Sequence, residues 1–195
     1  MKFKKILSCS GLVFFAIFHL SCCQAKKTLA HDFRRASWGM SLEEVKKTET
    51  GKFLHVLENN LAFRDTMLGC SFFIVYAFEQ DRLYMGGMVY EEIYSGIKGY
   101  EENFARLKDH LSGIHGKPRM DEVFRSGGKL RKFREASGDA AAASDPVMVC
   151  HWLSTDKRTQ CTLILDNSKE LKNLQIVFKD TGYQGPPSAF EVFVK

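Results

Sequence analysis

Cys70-Ser71-Phe72-Phe73-Ile74-Val75-Tyr76-Ala77-Phe78-Glu79 is the stretch on which the fold turns. Phe72, Phe73, Ile74, Val75, Tyr76 and Phe78 are aromatic or β-branched, side chains that suit a pleated, half-buried surface better than a helix. The polar pair Gln80-Asp81 marks a turn, and Leu83 to Glu91 returns as the hairpin partner. Gly86-Gly87 within that return removes two packing side chains, which points to a bulge or a close backbone approach. Immediately upstream, Leu61 to Met67 reads as a further strand.

Helix signals flank this β unit. In Trp38-Gly39-Met40-Ser41-Leu42-Glu43-Glu44-Val45, Ser41 can accept from the open N–H groups of a first turn while Glu44 reaches back, a capping box, and Gly51 is the stop. From Gly99 to His115, the side chains Tyr100, Phe104, Leu107, Leu111 and Ile114 recur on one helical stripe, ended by Gly116 and Pro118. Arg119 to Pro146 reads as a long loop with a short helix around Leu130 to Ala136. Val147 to Ser154, Gln160 to Asp166 and Leu174 to Lys179 then alternate as strands, with Met148, Cys150 and Trp152 on one face of the first. Phe190 to Val194 reads as an added edge strand after Gly185-Pro186-Pro187. Helix, three strands, helix, three strands predicts an α+β fold: an antiparallel sheet of about six strands with two or three helices packed on one face.

The amino terminus carries a different signal. Lys2, Lys4 and Lys5 precede an apolar run from Ile6 to Leu20 that closes in Leu20-Ser21-Cys22-Cys23, the pattern of a secretory leader. Its end resembles a bacterial lipobox, with Leu20 three residues before Cys23. That resemblance implies residues 1–22 as a lipoprotein signal peptide and Cys23 as the lipidated residue, carrying a diacylglycerol and an acylated amino terminus. Cys22 fits less well, because His19 would stand at the aliphatic position. Cys23-Gln24-Ala25 as an ordinary cleavage site, and Ile6 to Cys23 as a retained short span, are the competing readings. Residues 23–32 read as a tether and residues 33–195 as one domain.

Composition narrows the functional classes. The chain has 28 Lys and Arg against 23 Asp and Glu, and three of the basic residues lie in the leader, leaving a charge of about +2. Neither that charge nor an exported location suits a nucleic-acid partner. Outside the leader and Cys23, the cysteines are Cys70, Cys150 and Cys161. Cys150 and Cys161 share a face of neighbouring strands and read either as a disulfide or as two buried small apolar residues. The sequence lacks G-x-S-x-G, H-E-x-x-H, P-loop and dinucleotide-binding motifs, and its histidines are scattered, so no catalytic residue, metal ligand or cofactor is assigned. The basic cluster Lys129, Arg131, Lys132 and Arg134, otherwise a solvated face, and Trp38, otherwise a buried brace of the first helix, are the candidate binding surface.

Phe33 to Val45, Tyr76 to Leu83 and Ile114 to Pro118 together resemble a loosely defined set of uncharacterised bacterial exported lipoproteins with a W-G-x-S-x-x-E-V start. Gly39, Ser41 and Val45 also match the G-x-[ST]-x-x-x-V spacing of small envelope lipoproteins of the BamE type, so the chain is distantly similar to that family. The chain is longer than those proteins and has at least three more strands, so the functional expectation rests on the anchor signal and the absence of a catalytic constellation: a lipid-anchored protein of the cell envelope, held to the membrane by N-terminal acylation and meeting an envelope protein partner. The expected function is therefore non-catalytic: protein interaction or envelope scaffolding. The alternative is a periplasmic carrier of a small apolar ligand, which would need a cavity lined by Phe and Met.

Overall fold

In the computed structural model, which describes residues 31–124, 131–132, 147–167 and 172–185, Cys70–Glu79 is a strand deep inside a sheet larger than the sequence announced. The elements in chain order are α1 (Leu42–Thr48), β1 (Lys52–Leu57), β2 (Asn60–Met67), β3 (Cys70–Glu79), β4 (Arg82–Tyr90), α2 (Ile97–His115), β5 (Met120–Phe124), β6 (Arg131–Lys132), β7 (Val147–Leu153), β8 (Thr159–Asp166) and β9 (Asn173–Asp180). All nine strands belong to one sheet in the order β1-β2-β3-β4-β9-β8-β7-β5-β6. Every neighbouring pair is antiparallel.

This corrects the expectation of about six strands under two or three helices. There are eight full strands, a two-residue ninth and only two helices among the described residues, so the sheet dominates. The unexpected strands are β1, β5 and β6. The short helix expected around Leu130 is replaced, at Arg131–Lys132, by strand pairing with β5. The leader, Cys23, the tether up to residue 30 and the strand expected at Phe190 to Val194 lie outside the described residues, as do Lys129 and Arg134.

Local chemistry explains the elements. Ser41 caps α1: its side chain accepts from the Glu44 N–H while the Glu44 carboxylate accepts from the Ser41 N–H at 2.8 Å. The β2–β3 turn places Leu68 and Gly69 at φ +54° and +77°, and the β3–β4 turn places Gln80 and Asp81 at +49° and +58°. Positive φ at both central residues is the two-residue hairpin geometry that matches the twist of the flanking strands. Along α2, Tyr100, Phe104, Leu107 and Leu111 are buried, whereas Ile114, the last residue of the expected stripe, is 62% exposed.

With β6 set aside, the strand order is symmetric about the central β4–β9 pair. Each half runs helix, then a four-strand meander, and the last strand of each half meets its counterpart at the centre. One core runs across both halves. The register aligns Leu61, Tyr76, Gly86, Phe178, Cys161 and Trp152 in a single row across six strands. The row, its neighbours and the apolar sides of α1 and α2 form one buried cluster.

Candidate interaction site

Three contacts fix the start of the domain to the sheet. Phe33, 1% exposed, sits over the gap that Gly86 leaves in the central row, with its ring centroid 5.0 Å from those of Tyr76 and Phe178. A Cβ on Gly86 would lie 2.0 Å from the Phe33 ring, so only glycine admits this side chain. The sequence signal of close approach at Gly86-Gly87 is thus a phenylalanine seated on the strand. Beside it, Arg34 donates to both Glu49 oxygens at 2.9 and 3.0 Å and also to Asp65, while Tyr76 donates its hydroxyl to Glu49. Burial works against the Glu49 charge, but the hydrogen bonds from Arg34, Tyr76 and the Gly51 N–H outweigh it and hold the carboxyl down at about 2.

Trp38, a sequence candidate for an exposed docking side chain, is in the core at 8% exposure. Its indole N–H donates to Thr159 at 2.9 Å, and Thr159 donates to Asp32, which also accepts from the Trp38 backbone N–H. The indole thus braces the chain entry against β8. Arg131 and Lys132 form β6, opposite Val123 and Glu122 of β5. Cys150 and Cys161 are free and buried. They share a face on the diagonal: Cys161 stands opposite Trp152, and Cys150 opposite Leu163. A diagonal pair is separated by roughly 7 Å, beyond the roughly 4 Å between Cβ atoms that a disulfide requires.

The described residues bring no reactive constellation together. Burial pushes the Cys150 thiol well above its ordinary range, and its hydrogen bond to Asp121, at 3.2 Å, pushes the same way, so it stays protonated. Lys108 matches the Asp121 charge at 2.6 Å. Among the described residues no group of three or more His, Cys, Asp or Glu could hold a metal ion. A cleft of about 230 Å³ lies between the β3–β4 turn and the end of β9, lined by Glu79, Arg82, Tyr84, Asp180 and Tyr183. Its walls mix polar groups with Leu83 and the two tyrosine rings and contain neither Phe nor Met. No helix among the described residues is long and apolar enough to cross a membrane.

The feature that stands apart is β1. Among the described residues it is the outermost strand of its half, paired on one side only, with β2. Phe53 lies opposite Phe63, and Val56 opposite Leu61, so both point to the core side of the sheet. Both nevertheless remain open to solvent, at 42% and 45% exposure. The Lys46 ammonium of α1 covers part of the Phe53 ring, 4.9 Å from its centroid. A register shift between Phe53 and His55 leaves Leu54 without a partner on β2 and brings Phe53 and Val56, three residues apart, onto one side. Sequence reasoning missed this ledge. Lys52-Phe53-Leu54-His55-Val56-Leu57 carries no clean alternation, and the exposure of its apolar residues follows from its place at the edge.

No family model, curated protein or solved structure matches the chain.

Proposed function

We propose that the chain is a lipid-anchored envelope protein, tethered through Cys23, whose nine-stranded domain binds a partner protein at the outer side of β1. The observation that carries this reading is the pair Phe53 and Val56, two large apolar side chains exposed on one side of the strand that ends the sheet among the described residues. Single exposed apolar residues are ordinary on soluble proteins. Two together on a strand edge that no described residue pairs are a liability unless something covers them. Two buried titratable groups, Glu49 and Cys150, are engaged in internal hydrogen bonds, which suits a binding module better than an enzyme.

The test compares the full-length wild type with the double variant Phe53→Asp/Val56→Asp in crosslinked intact cells. The wild type should capture a discrete partner, and the variant should lose it while keeping its thermal unfolding midpoint. Equal capture by both proteins would place the binding site elsewhere.

A further inference from the structure

The symmetry of the two halves makes the outward side of β1 the counterpart of that of β5. β1 and β5 occupy equivalent places, each the third strand out from the central β4–β9 pair. On β5 the outward side is taken by an added antiparallel strand, β6, with Glu122 opposite Lys132 and Val123 opposite Arg131. On β1 the equivalent side has no strand among the described residues. A pairing of two residues thus extends the sheet at the β5 edge. The bulge at Leu54 leaves a regular run of similar size, His55 to Leu57.

The surroundings define the occupant. Phe53 and Val56 call for apolar side chains on the core side of the added segment. Lys46 and Lys52 both flank the Lys52 end of the strand, and among the described residues neither forms an ion pair. Arg64, opposite Lys52 on β2, is already matched by Glu91 at 2.8 Å. At the other end, Glu58 follows β1 in the turn. The basic end of the site is therefore the start of β1, which an antiparallel segment meets with its carboxyl-terminal end.

We propose that β1 takes up a short extended segment of the partner protein by antiparallel strand addition, apolar in its body and acidic toward its carboxyl-terminal end. This rests on the reading of β1 as the partner site and adds the binding mode and the chemistry of the segment. Backbone pairing supplies affinity in such additions, and the alternate side chains supply specificity.

The experiment uses the full-length chain in detergent and four acetylated, amidated hexapeptides at millimolar concentration. They are Thr-Val-Thr-Val-Glu-Glu, its reverse order, its Lys-for-Glu counterpart, and a counterpart with both valines N-methylated. The readout is amide hydrogen exchange over residues 52–58 together with titrated affinity. The first peptide should protect β1 amides, and each of the other three should bind at least about tenfold more weakly. Absence of β1 protection with the first peptide, or equal protection by the N-methylated one, overturns strand addition. If capture in cells still depends on Phe53 and Val56 while N-methylation has no effect, the partner site stands and this binding mode falls.

Discussion

At the scale of single residues, Gly86 and Glu49 decide how the domain begins. Gly86→Ala would place a methyl group inside the Phe33 ring, so the variant should lose about 1–3 kcal/mol through overpacking. Phe33→Ala in the same chain should absorb most of that loss, because the two residues share one space. Strictly additive costs in denaturant melts would show that Phe33 is seated elsewhere. Glu49 makes a pH prediction. Its carboxyl is lowered from 4.5 to about 2, so the stability it contributes is fully present above pH 4.5 and disappears as pH falls through 2. A shift of that size corresponds to roughly 3 kcal/mol. Glu49→Gln should therefore be less stable at neutral pH by up to about that amount and should flatten the stability profile between those two values. Parallel profiles for the two proteins would mean that Arg34 does not hold this carboxylate. Trp38 shows the limit of reading residues alone. Its type suits a docking anchor or a buried brace, and the brace is what the structure shows, but through a partner 121 positions away in Thr159 that no local pattern reveals.

At the scale of elements, α2 makes the clearest prediction. Phe104 is fully buried at the centre of its stripe, so Phe104→Ala should cost about 3–5 kcal/mol from lost burial and a residual cavity. A loss below about 1 kcal/mol in a urea melt would mean that the stripe does not face the sheet. The legible elements were those whose own sequence carries the full signal. β3 is dense in β-branched and aromatic residues, α1 has both halves of its capping box, and α2 keeps a helical spacing until its last turn. The missed ones depend on their neighbours. β1 is interrupted by a bulge that destroys the period of two. β5 carries Asp121 and Glu122 in succession and buries only Val123. β6 is two residues long and exists only as the complement of β5. The candidate site was illegible for the same reason, since the exposure of Phe53 and Val56 is a property of the sheet's edge and not of the six residues around them.

At the scale of the whole molecule, the account joins a tether at one end of the chain to a partner site on the outermost strand. The tether has its own test. A fatty-acid analogue fed to growing cells should label the wild type, and Cys23→Ala should lose the label and leave the membrane fraction. Label lost only with Cys22→Ala would move the attachment by one residue, and an unlabelled wild type would refute the anchor. The partner site is the central claim, and site-specific photocrosslinking in intact cells tests it most directly. A photoreactive amino acid is placed in the full-length chain at Phe53, at Val56, or at Glu102, an exposed position on α2. The account predicts the same discrete, heavier adduct from positions 53 and 56 and none from 102. Adducts absent from both β1 positions, or equally strong from Glu102, would contradict it.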